Sequence, residues 1–111
     1  MFSNVNAAGA NAVDATTSVA APAVAAPSVR AYFLITAPAD PGLLPRLLEP
    51  VAKLGAVPSR MYASRESGDG SELGVDLRLT GVPMRTARLV ESALRAVVGV
   101  RQVLAVVEPE A

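Results

Sequence analysis

"VRAYFLITAPADPGLLPRLLEPVAKLGA", Val29 to Ala56, changes its apolar period halfway along. From Val29 to Thr36 every second residue (Val29, Ala31, Phe33, Ile35) is apolar, and aromatic and β-branched side chains fill the run. That pattern predicts a strand with one dry face. Beyond "APADPG", Leu44, Leu47, Leu48, Val51 and Leu54 recur at helical spacing, with Arg46, Glu49 and Lys53 opposite them. A strand therefore gives way to an amphipathic helix across one short turn. Pro38 and Pro41 end the strand, Asp40 is placed to cap the helix, and Pro45 fits its first turn. Gly55 suits the C-terminal cap. Pro50 falls inside the helical run, where its missing N–H predicts a kink or an early end.

Downstream the same two patterns return. "VPSRMYASR", Val57 to Arg65, reads as a less regular strand, with Pro58 suited to a sheet edge. Ser67-Gly68-Asp69-Gly70 is a hairpin turn, and "ELGVDLRLT" after it alternates strictly, Leu73, Val75, Leu77 and Leu79 inward. Gly81 to Pro83 read as a turn, with Pro83 opening a second helix. Ala87, Val90, Leu94 and Val97 or Val98 form its apolar stripe, and Arg85, Arg88, Glu91, Ser92 and Arg95 its wet side. Gly99 ends it, and "VRQVLAVVE" returns as a last strand. The order is βαββαβ, which predicts an α+β, ferredoxin-like domain: a four-stranded antiparallel sheet with two helices on one face.

Composition narrows the function. The chain has 111 residues and 51% are hydrophobic, enough for one domain with a real core. Ten Lys and Arg balance ten Asp and Glu without a concentrated patch, so no basic footprint for nucleic acid or an anionic membrane is present. Cysteine and histidine are absent, which removes disulfides, thiolate nucleophiles, imidazole bases and the usual transition-metal ligands. A cysteine-free chain fits a reducing cytoplasm. Residues 1–28 are mostly Ala, Val, Pro, Ser, Thr and Asn with one charge, Asp14, and no Lys or Arg before Arg30. They read as a flexible, disordered Ala/Pro-rich tail lacking the basic start of a secretory signal. The folded domain is expected over 29–108, with 109–111 as a second short tail.

Known uses of this topology can be tested residue by residue. Stacking RNA bases needs aromatics on the two central strands; Tyr32 is there, but "LGVDLRLT" offers none, leaving a Tyr32, Tyr62, Arg60 and Arg78 patch as a weak substitute. Metal carriers of this topology need two thiols in the first loop, and acylphosphatase-like catalysis needs an arginine there; "TAPADPGLL" has neither. The carboxylates are scattered and share no expected pocket, so no catalytic residue, metal site or cofactor is assigned.

The pieces "YFLITAPADPGLLPRLLEPVAKLGA", "VDLRLTG" and "LRAVVGVRQVLAVV" together resemble the ACT domain, a small-molecule-sensing module of amino-acid metabolism. The resemblance extends over nearly all of Val29 to Val107, and its nearest branch is the free-standing small regulatory subunit of acetolactate synthase. It implies a non-catalytic regulatory domain that forms a homodimer through sheet edges or helices and partners a catalytic subunit. It also implies an amino-acid effector held where the first loop meets a partner. On this sequence that places Ala39, Asp40, Gly42, Leu43, Leu44 and Val57 at the effector or partner site. Gly42 without a Cβ lets a ligand or neighbouring subunit approach the backbone, and the helix N-terminus suits a carboxylate. The sequence departs from the family at two of these positions. Amino-acid-binding members carry a polar residue, often Asn, where Ala39 and Val57 stand, and neither side chain here can hydrogen-bond a ligand. A ligand-free oligomerisation module of the same fold is the alternative.

Overall fold

Alternation of dry and wet positions in the central strands decides the architecture. In the computed structural model, which describes residues 27–110, the elements are β1 (Ser28–Pro38), α1 (Leu43–Lys53), β2 (Arg60–Glu66), β3 (Glu72–Pro83), α2 (Met84–Arg95) and β4 (Gln102–Pro109). The sheet order is β2-β3-β1-β4, with every pair antiparallel. This is the expected ferredoxin-like βαββαβ arrangement. The expected tail of residues 1–28 lies outside the described residues apart from Pro27 and Ser28, as does Ala111. The strands run from Ser28 to Pro109, one residue past each end of the expected 29–108 domain.

β1 is central because its dry face can be covered from both sides. Val29, Ala31, Phe33, Ile35 and Ala37 are buried, and β3 sets Leu79, Leu77, Val75 and Leu73 opposite the last four. Leu43, Leu47 and Val51 from α1 and Ala87, Val90 and Leu94 from α2 close the core over that face. The α2 stripe is as expected, except that Val97 packs partly against the core while Val98 is exposed.

Four local expectations need correction. The α1 stripe is rotated: Leu43, not Leu48, completes the buried row, because Leu43, Leu47 and Val51 stand four apart and Leu48 faces solvent. α1 continues through Pro50 to Lys53. It then ends at Gly55 (φ +77°), where the Gly55 N–H donates to the Ala52 carbonyl and the Ala56 N–H to the Val51 carbonyl, the paired bonds of a Schellman motif. Gly81–Pro83 is no turn but the end of β3. The register steps from Ala31↔Leu79 to Val29↔Val82, so β3 carries one extra residue, and Gly81 (φ +69°) absorbs the bulge. Finally, β2 begins at Arg60 rather than Val57, and its entry is fixed by the Ser59 N–H donating to the Arg78 carbonyl at 2.8 Å.

Candidate functional site

The β1–α1 loop closes one end of the sheet. The Ala39 N–H donates to the Ser71 carbonyl (2.9 Å), the Leu43 N–H to the Asp40 carbonyl (3.0 Å), and the Arg46 N–H to the Gly42 carbonyl (3.3 Å). Gly42 is the N-cap, and no side chain caps the helix. The expected capping role of Asp40 is therefore corrected: the helix begins three residues further on, and the Asp40 carboxylate turns instead to Arg46. Arg46 Nη2 donates to Asp40 Oδ2 at 2.8 Å and to the Val98 carbonyl at 3.4 Å. One guanidinium thus ties the β1–α1 loop to the turn before β4.

This explains Gly42 in space rather than in backbone angle. Its φ of −82° is open to any residue, but a Cβ would lie 2.5 Å from Arg46 Nη1. The glycine makes room for the arginine to fold back. A helix N-terminus without a side-chain cap, beside a guanidinium, is a local field that favours an anion. The Asp40–Arg46 pair is exposed at 49% and 41%, and such pairs contribute only about 0–1 kcal/mol, so it opens easily.

The other expected site residues scatter. Ala39 and Leu44 are half-buried and pack against the core, and Leu43 is fully buried within it. Val57 is 83% exposed. It precedes the Ser59–Arg78 contact, whereas the loop lies by the Pro38↔Glu72 pair; the six residue steps from Tyr32 to Pro38 span roughly 20 Å of strand. One chain therefore does not bring Val57 to the loop. Arg46 is the residue that sequence reading missed. Its spacing of four from Gly42 was the available signal, but helical periodicity placed it among the solvated positions.

Two other surfaces stand out. A groove lined by Pro50, Leu54, Leu89 and Ala93 runs between the helices. On the open face of the sheet, Thr36, Ser64, Glu66, Asp76 and Leu104 surround a hollow of about 390 Å³ floored by Gly74. On the same face the Arg78 guanidinium covers the Tyr32 ring at 5.0 Å and is held by Asp76 through two hydrogen bonds (3.1 and 3.2 Å). That stacking occupies the ring face a base would need. Among the described residues no three His, Cys, Asp or Glu side chains converge as a metal site, and no helix is long and apolar enough to cross a membrane.

No protein-family model matches the chain, and no curated protein matches it. Solved structures do. The ACT domain of GTP pyrophosphokinase from Chlorobium tepidum is similar with a TM-score of 0.59 at 15% identity, over 71% of this chain and 99% of that one. The regulatory subunit of aspartate kinase from Thermus flavus gives 0.51 at 17% identity, over 76% of this chain and 53% of that one. A quorum quenching acylase gives 0.59 at 21% identity, over 82% of this chain but 48% of its own. At these identities the likeness is one of fold. The chain has the ACT-domain fold.

Proposed function

We propose that the chain is a non-catalytic regulatory domain of the ACT type, acting on a partner enzyme of amino-acid metabolism through the β1–α1 loop. The observation that carries this reading is the loop itself. Arg46 lies over Gly42, beside a helix N-terminus without a side-chain cap, and is held by one exposed carboxylate. An amino-acid carboxylate arriving there replaces Asp40 on the guanidinium and releases the contact to Val98. Ligand occupancy is thus coupled to the turn before β4, and a differential affinity of that kind is what allosteric control requires. In this reading the domain works in the cytoplasm beside a catalytic subunit, with that of acetolactate synthase the first to test, and two copies associate through β2 or β4 edges or through the helices. Calorimetric titration with valine, leucine, isoleucine, serine and phenylalanine tests it. Heat and a thermal shift with one of them, lost in Arg46→Ala, support sensing; silence with all five removes it.

A second reading, a ligand-free assembly module, is favoured by Leu43 and Val57. The first is sealed in the core and the second stands at the far end of the sheet from the loop. Gly42→Asp separates the two. A folded variant with unchanged assembly but no effector response favours sensing, whereas lost assembly favours the module.

A further inference from the structure

Where the start of α1 passes the end of α2, a cleft of about 300 Å³ opens on the helical side of the domain. Arg46, Glu49 and Pro50 of α1 line one wall, and Ala93, Ala96 and Val97 line the other. Arg46 and Glu49 stand about one turn apart, so opposite charges border the same space. Each ion-pairs in the opposite direction along the helix, Arg46 with Asp40 at 2.8 Å and Glu49 with Lys53 at 3.6 Å. Both pairs are exposed and weak. The second wall is apolar and low. Ala93 and Ala96 have nothing beyond Cβ, and past Pro50 and Ala93 the cleft opens into the groove bordered by Leu54 and Leu89. Pro50 acquires a role here. It has no N–H to give the Arg46 carbonyl, so the bond that would close this turn of α1 is missing beside the cleft. The helix ends add the same polarity, partial positive charge at the start of α1 and partial negative at the end of α2, by Ala96.

We infer, resting on the carboxylate contact proposed above, that this cleft completes the Arg46 site within a single chain and fits it to a neutral aliphatic α-amino acid. The carboxylate takes the guanidinium in place of Asp40. The ammonium lies about one turn along, donating to the Glu49 carboxylate and to the Arg46 carbonyl that Pro50 leaves without a donor. The hydrocarbon side chain covers Ala93, Ala96 and Val97 and points toward the interhelical groove. A concave, mainly apolar surface with a few well-placed polar groups is the usual form of a small-molecule site. A simple carboxylate would lie beside Glu49, and a simple amine beside Arg46, each against a like charge. An acidic or basic side chain would lie on alanine and valine with no partner. A zwitterion with an apolar side chain satisfies every group in the cleft. The polar contacts that Ala39 and Val57 cannot supply thus come from α1, and no residue of a second chain is required.

The test is calorimetric titration of the full chain, with circular dichroism confirming that each variant is folded. Leucine should bind at one per chain, with an affinity that stays constant while protein concentration is varied about a hundredfold. Isocaproate and isopentylamine keep the leucine side chain but each lose one charge. They should bind roughly tenfold more weakly or worse, and serine, with no hydrocarbon to bury, likewise. Glu49→Gln should weaken leucine by a similar factor without weakening isocaproate. Ala96→Leu, at an exposed position that leaves the core untouched, should fill the cleft and abolish leucine binding. Silence with every amino acid removes both this inference and the reading it rests on. Binding that is lost in Arg46→Ala but indifferent to Glu49→Gln and Ala96→Leu leaves that reading standing and overturns the inference. One ligand per two chains, an affinity that rises with protein concentration, or isocaproate binding as tightly as leucine overturns it too.

Discussion

Arg46 folds back over Gly42 to place its Nη2 2.8 Å from Asp40 Oδ2, with the glycine leaving the space through which the guanidinium passes. The contact joins a loop residue to the second turn of the helix that the loop begins. Because both partners are half exposed, it positions the loop more than it stabilises the domain.

Gly42→Ala is expected to fold with a stability loss of about 0.5–1 kcal/mol, since alanine is a poorer N-cap but its Cβ meets only a flexible arginine tip. Urea denaturation reads the loss directly. A loss above about 3 kcal/mol would show that backbone packing, not arginine placement, requires the glycine.

Leu43→Ala and Leu48→Ala should separate sharply despite their shared helix. Leu43 is fully buried and its truncation should cost about 2–4 kcal/mol, whereas Leu48, 37% exposed, should cost less than about 1 kcal/mol. Equal losses would place the buried stripe where sequence periodicity first put it.

Gly81→Ala should destabilise by about 1–2 kcal/mol, because alanine resists the positive φ that the β3 bulge imposes. Nothing lies within 4 Å of its added Cβ, so the cost is conformational alone. Gly68→Ala, on the hairpin with equally open space and no positive φ, serves as the control and should change little.

Glu91 accepts from Arg95 Nη2 at 2.9 Å and from Arg88 Nη1 at 3.0 Å across one helix face. The Arg95 hydrogen bond first, and Arg88 after it, hold its carboxyl below the ordinary carboxylate value. A depressed carboxyl pKa stabilises the fold above the unfolded-state value and loses that contribution as pH falls through the folded-state value. Glu91→Gln should therefore cost about 0.5–1 kcal/mol at neutral pH. Its urea midpoint should converge with that of wild type as pH falls through and below the ordinary carboxylate range. A gap that persists in acid would mean packing, not charge, is what the variant removes.

The order of elements was legible because each signal is local. Period two in Val29–Thr36 and Glu72–Thr80, period 3.6 in the two helical runs and Gly55 fix strands, helices and a stop within a few residues, whereas α2 stops at Arg95, before the Gly99 expected to end it. Those signals also led to the ferredoxin-like fold, since βαββαβ with these lengths closes in few ways. The phase of α1 was not legible. Leu43, Leu44, Leu47 and Leu48 are chemically equivalent, and only the sheet beneath them selects Leu43 and Leu47. Asp40 read as a cap because its type and spacing allow it; a long-range contact, Arg46 with the Val98 carbonyl, shows where the loop is actually held. The uncovered pairing of Leu34 with Leu104 joins residues seventy positions apart, and their register is set by backbone hydrogen bonds that periodicity does not encode. Local patterning determined what the chain builds; tertiary packing decided which of its equivalent side chains face the core and which face solvent.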